Sequence, residues 1–396
     1  MEIVLLMALA VLGIGFIDTG NSEDDEEAPL PEEDDGETPD TPDTPDDPDT
    51  PDDPDTPDDP LDDPDTPDTP DDPLMASSDS SVTGTGGADL ITLALEDEGV
   101  ENATILAGDG DDTIDLYDED YENTSPMDDR YLIGSRVEAG EGDDVLDALL
   151  LSTGVDMGDG DDTVSLEMES IDSVVDLGAG ADVFDGFGGN GPQVTVNGGD
   201  GNDIITGSFN MNLNGGSGDD VINFSGFGDG GTGYVTEVDG GDGNDTISFT
   251  GPDFDNPGNS PLSPRGGTGA DLFDLDISEA DTTGLFFEAS DYEQPDGSLR
   301  IGLLELPDFT PGEDMIRIDA TPEDDGYDLT TASLEEANDA QGNAITILTL
   351  NYEHATEPAQ QTTVVIGSGD VDWDDITFVG EDIPTLEPIT SGDGFS

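Results

Sequence analysis

Residues 198–206 read GGDGNDIIT, and residues 240–248 repeat the order as GGDGNDTIS. Aligned on the second acidic position, seven further copies appear: GTGGADLIT from 84, AGDGDDTID from 107, AGEGDDVLD from 139, MGDGDDTVS from 157, LGAGADVFD from 177, GGSGDDVIN from 215 and GGTGADLFD from 266. Position 4 is Gly in every copy, and position 2 is Gly in all but the first, as a tight turn needing positive φ demands. Position 6 is always Asp: Asp89, Asp112, Asp144, Asp162, Asp182, Asp203, Asp220, Asp245 and Asp271. Position 8 is always large and apolar, from Ile91 to Phe273. A glycine turn, a carboxylate and a strand with one inward residue bury nothing alone, so the unit must stack.

The residue two before each copy supplies a second wall: Val82, Ile105, Val137, Val155, Val175, Val196, Leu213 and Val238, with Pro264 as the exception. The expected fold is therefore an all-β, parallel β-roll (a β-solenoid) with a thin core between two sheets. Its position-6 Asp residues should line one edge. They are spaced 23, 32, 18, 20, 21, 17, 25 and 26 residues apart, one glycine–Asp turn per coil, so the opposite edge must vary. The longest interval holds YDEDYENTSPMDDRY (117–131), read as a surface loop.

A column of Asp residues needs a cation. Stacked coils lie about 4.8 Å apart. At an effective dielectric of about 20, each neighbouring pair of carboxylates repels by roughly 3.5 kcal/mol. A column of such pairs exceeds the net stability of a domain, about 5–15 kcal/mol. Calcium, which takes six to eight oxygen ligands in flexible geometry, suits carboxylates and turn carbonyls; Mg²⁺, which keeps its waters and strict octahedral geometry, suits them poorly.

The repeat resembles the RTX (haemolysin-type) calcium-binding nonapeptide G-G-x-G-x-D-x-U-x, where U is large and apolar. The match covers about half the chain. The resemblance implies that the position-6 Asp side chains and the carbonyls of positions 1 to 5 hold Ca²⁺. The acidic position-3 residues Asp109, Glu141, Asp159, Asp200 and Asp242 are second-tier candidates. Nine turns enclose eight gaps, so on the order of eight ions are expected, each weakly held. The family also implies type I secretion and an extracellular or surface location on a Gram-negative bacterium.

Composition divides the rest. Residues 3–17 (IVLLMALAVLGIGFI) are wholly apolar and span about 22 Å as a helix, short for a membrane crossing. Residues 1–20 are read as a signal or membrane anchor, with possible membrane contact left open. Residues 21–74 carry TPDDPD repeats and are read as a disordered, extended acidic linker. Residues 75–275 form the roll, 276–380 a β-rich cap with a short helix expected at 333–339, and 381–396 a tail. DFTPGEDMIRI (308–318) looks like the segment that often follows RTX rolls, and Asp308 and Asp314 are read mainly as turn residues.

The chain carries 101 Asp and Glu against five Arg, with no Lys, no Cys and a formal net charge of −96. Nucleic acid is excluded as a partner, because that binding rests on cationic neutralisation of phosphate. His354, the only His, rules out two-histidine zinc sites, and the missing Lys rules out a Walker A loop. No G-x-S-x-G elbow occurs. His354 is read as an exposed loop residue and Trp373 as core of the cap. The function expected is non-enzymatic: extracellular calcium binding in a structural or adhesive module with a protein or polysaccharide surface partner. The alternative is a secreted carbohydrate-active enzyme or toxin-like effector with active residues in 276–380.

Overall fold

The computed structural model describes residues 73–93, 99–116, 132–188, 193–208, 210–225, 237–250, 263–276, 299–319, 327–356, 359–380 and 383–391. The apolar N-terminal run, all but the last residues of the acidic segment, and the 117–131 insertion lie outside them. No helix occurs among the described residues, and none is long and apolar enough to cross a membrane.

The fold is all-β and is built as a roll. A twelve-stranded parallel sheet begins with Leu74–Ala76 and ends with Ile376–Val379, and a nine-stranded parallel sheet faces it, from Ser81–Thr83 to Arg265–Thr268. The chain alternates between them. Thr104–Asp109 lies in the nine-stranded sheet, crosses the glycine turn, and continues as Thr113–Asp115 in the other.

The apolar positions stand in register, and this fixes the core. The position-8 side chains pair as Ile91, Ile114, Leu146, Val164, Phe184, Ile205, Ile222, Ile247 and Phe273 on successive strands. The opposing wall stacks Val82, Ile105, Val137, Val155, Val175, Val196, Leu213 and Val238. All are buried. Pro264 is buried next along that wall, so the one break in the sequence pattern is no break in the packing.

The boundary expected at 275/276 is not a boundary in the sheet. Met315–Asp319 pairs with Leu272–Asp276, and Ile376–Val379 pairs with Met315–Asp319, so Ile316 and Ile376 extend the position-8 column. The remaining C-terminal strands form a six-stranded sheet in which Leu299–Leu306, Gln360–Ile366, Ala344–His354 and Tyr327–Asn338 lie side by side.

The helix expected at 333–339 is a strand. Tyr327–Asn338 runs antiparallel to Ala344–His354, with Leu334 opposite Leu348. Asp339 closes the hairpin by accepting the N–H groups of Gln341 and Asn343 at 2.9 and 2.7 Å.

Candidate metal centre

The site follows from where the backbone N–H groups of each glycine turn go. At position 4 the N–H donates to the position-3 carbonyl of the next coil, as Gly218 does to Asp242 at 2.8 Å. At position 7 it donates to the position-6 carbonyl of the preceding coil, as Val183 does to Asp162 at 2.8 Å. The N–H groups of positions 5 and 6, at the apex, are left over. Buried backbone donors require partners, and here side chains provide them.

At position 6 the partner is the carboxylate of the next coil. The N–H of Asp89 donates to Oδ1 of Asp112, and the same bond repeats through Asp144, Asp162, Asp182, Asp203, Asp220, Asp245 and Asp271, at 2.7–2.9 Å. Position 5 runs a second ladder in the opposite direction. There Oδ1 of Asp143 accepts from Asp161 at 2.9 Å, and Oδ1 of Asp219 accepts from Asn244 at 2.8 Å. This ladder was not expected from the sequence, although the recurrence of Asp or Asn at position 5 was its signal.

From the second copy on, the turns admit no side chain at position 2. Gly140 has φ of 132°, and a methyl built there would run into the carbonyl oxygen of Gly108 in the adjacent coil.

All nine predicted position-6 Asp side chains are thus brought into one column, and all are buried, Asp144 and Asp182 to 0% exposure. Eight of the nine carboxylates keep an oxygen without a partner. Oδ2 of Asp112, Asp144, Asp162, Asp182, Asp203, Asp220 and Asp245 is buried without a hydrogen-bond partner, as is Oδ1 of Asp89. Burial pushes Asp162 and Asp245 up to about 7, and Asp144, Asp203, Asp220 and Asp271 up to about 6. The N–H bond that each accepts opposes the rise, and the charge of nearby carboxylates adds to it.

The column is longer than the nine copies. Asp314 is buried, and its Oδ1 accepts the N–H of Asp271 at 3.0 Å. Its Oδ2 accepts the N–H of Thr310 at 2.7 Å, so both oxygens are engaged. FTPGEDMIR (309–317) is therefore a tenth turn, with Gly312 at position 4 and φ of 77°. Asp308 stands over the end of the nine-stranded sheet, where its carboxylate accepts from Gly266 and Gly267 at 3.4 and 3.0 Å.

The position-3 acids lie elsewhere. Asp109, Glu141, Asp159, Asp200 and Asp242 are all exposed, on the outside of the turn. Their row is kept in register by the strand pairing but does not join the buried column. Among the described residues, no three His, Cys, Asp or Glu side chains converge on one point. The donors are instead strung along an axis, one carboxylate per coil, beside columns of glycine carbonyls.

The opposite edge provides a comparison within the same molecule. There the N–H groups of Ala103, Ser135 and Thr153 donate to the hydroxyls of Ser135, Thr153 and Ser173 in the next coil, at 2.9, 3.4 and 3.1 Å. Each hydroxyl has a proton to give, and those of Ser135, Thr153 and Ser173 reach the carbonyls of Ile133, Leu132 and Ile171 at 3.0, 2.6 and 3.0 Å. Each of these three hydroxyls thus both accepts and donates. The same task of capping an N–H across coils is thus done by neutral groups on one edge and by carboxylates on the other.

The two singular residues lie in the C-terminal part. His354 ends its strand half-buried, opposite Tyr327, and not in a loop. Trp373 packs against the core beside Phe378, and its indole N–H donates to the carbonyl of Glu387 at 3.2 Å. Arg317 binds Asp274 with both nitrogens of its fork, one at 2.7 Å, and so offsets one of the acids on the outer face.

Neither a scan against protein-family models nor a search of the curated proteins finds a match to this chain.

Proposed function

We propose that the buried Asp column binds calcium ions and that the roll is an extracellular calcium-dependent structural or adhesive module. One observation carries this reading. In consecutive coils a buried carboxylate keeps one oxygen without a partner, although a hydroxyl performs the same backbone capping on the opposite edge. A buried carboxylate without compensation is expensive and must be protonated, paired or metal-bound. Among the described residues the two ion pairs involve Arg136 and Arg317, neither of which reaches the column. The donors available there are carboxylate and carbonyl oxygens, the set that a hard divalent cation selects.

In this reading the position-6 side chains from Asp89 to Asp271 hold the ions together with turn carbonyls. The resemblance of the nonapeptide to RTX repeats points the same way, and so does a net charge of −96 that opposes compaction. Sites of the extracellular class, with dissociation constants around 10⁻⁴–10⁻³ M, stay empty at cytosolic calcium and fill outside the cell. Secretion, surface location and a protein or polysaccharide partner follow from this reading as further proposals.

The test is circular dichroism and size-exclusion chromatography of the full chain, first in chelator at low salt and then in millimolar CaCl₂. The expected result is an expanded chain that compacts into β-structure on calcium addition. A compact β spectrum already present in chelator at neutral pH overturns the proposal.

A further inference from the structure

Between the first turn, where Gly84 stands beside an Asp89 Oδ2 that already accepts the N–H of Thr85, and the tenth, which opens on Phe309, the turns are of two kinds, distinguished by position 1. In the copies from 198, 215, 240 and 266 that residue is Gly, whereas in the copies from 107, 139, 157 and 177 it is Ala107, Ala139, Met157 and Leu177, all buried. The glycines open a space beside Oδ2 of the carboxylate in their own turn, an oxygen orphaned in Asp203, Asp220 and Asp245. A methyl built on Gly198, Gly215, Gly240 or Gly266 would collide with Oδ2 of the Asp in its own turn, namely Asp203, Asp220, Asp245 and Asp271. At Gly198, Gly215 and Gly240 the same methyl would also meet the carbonyl oxygen of position 1 in the next coil, contributed by Gly215, Gly240 and Gly266. Carboxylate and carbonyl oxygens therefore face one small space that glycine leaves free. Ala107, Ala139, Met157 and Leu177 instead carry apolar side chains that belong to the core.

We infer that the calcium column, taken as proposed above, is divided into a tight C-terminal tract over Asp203–Asp271 and a weak N-terminal tract over Asp112–Asp182. The physical reason is the donor set. A hard cation gains from each added oxygen and from freedom to seat itself among them, and a neighbouring methyl or thioether supplies neither. The four glycine turns are consecutive, so their sites adjoin and load as one block. The four apolar-substituted turns adjoin in the same way.

Calcium titration calorimetry on the full chain, with CaCl₂ as the probe, tests this. Two classes of site are expected, separated by at least about tenfold in affinity. Asp203→Asn with Asp220→Asn should remove heat from the tight class, and Asp112→Asn with Asp144→Asn should remove heat from the weak class alone. Asn keeps an oxygen for the N–H of the preceding coil, so the ladder itself is retained. Circular dichroism of each variant in excess calcium checks that the roll still forms. A single class of sites, or equal loss from both pairs of substitutions, overturns the division while leaving calcium binding in place. No heat from the parent chain overturns calcium binding itself.

Discussion

Asp220 accepts the backbone N–H of Asp203 on Oδ1 at 2.8 Å and keeps Oδ2 buried without a partner. One carboxylate thus holds two neighbouring coils together and carries a charge that the protein alone does not neutralise.

Substitutions at this residue should separate those two roles. Asp220→Asn preserves an acceptor for Asp203 and removes the charge, so in chelator the acid-compacted variant should persist to a higher pH than the parent. Its gain on calcium addition should be smaller. Asp220→Ala also strands the N–H of Asp203, at a cost of about 1–3 kcal/mol. A pH titration in chelator, followed by circular dichroism, and thermal melts with calcium distinguish the two. Identical curves for Asn and Ala would contradict the hydrogen-bonding role.

The calcium-free chain should be stabilised by mild acid. Folding raises these carboxyls above their ordinary value of 3.8, to about 7 at Asp162 and Asp245 and to about 6 at Asp144, Asp203, Asp220 and Asp271. The folded state therefore binds more protons than the unfolded one between those limits. Its stability is fully present below about pH 4 and is lost as pH rises through 6 and 7. In chelator, circular dichroism should show the compact β form near pH 5 and its loss by about pH 8. With calcium present, protons compete for the same oxygens, and the trend should flatten or reverse.

The hydroxyl ladder should matter for stability and not for calcium. Thr153→Val removes the acceptor of the Ser135 N–H and the donor to the Leu132 carbonyl while keeping the shape of the side chain. A loss of about 1–3 kcal/mol is expected. The calcium midpoint, measured by the circular dichroism titration, should stay where it is apart from that loss.

Two glycines should respond oppositely to alanine. Gly218 has φ of 137°, and a methyl there would strike the carbonyl oxygen of Gly201, so Gly218→Ala should cost at least about 1–3 kcal/mol. Gly154 has open space where its Cβ would stand, and Gly154→Ala should be neutral or stabilising by about 0.4–1 kcal/mol. Melting temperatures in excess calcium check both.

The roll was legible because three constraints recur at fixed offsets: a turn glycine, an Asp and an inward aliphatic residue. The tenth turn was harder to see, since Phe309, Thr310 and Pro311 replace the usual opening, yet Gly312, Asp314 and Ile316 keep positions 4, 6 and 8. Once Asp314 is counted, the roll extends beyond its expected end. The hydroxyl ladder had its own signal in S-x-V at 135–137, T-x-V at 153–155 and S-x-V at 173–175. It escaped notice because attention to the acidic edge left the other described only as variable. The strand over Tyr327–Asn338 was hidden by Leu334, Glu335, Glu336 and Ala337, all good helix formers locally, which pairing with Ala344–His354 overrides. The exposure of the position-3 acids was not legible, because sequence alone does not tell which side of a turn a residue faces.

The intervals between position-6 residues run from 17 to 32 residues, yet the turn edge repeats without a break. Differences in perimeter are absorbed away from that edge, and each coil meets its neighbours through the same bonds. A whole coil can therefore be duplicated or excised in a gene without disturbing the register of those that remain. The molecule then behaves as a ruler whose length changes in steps of about 4.8 Å while its ends stay the same.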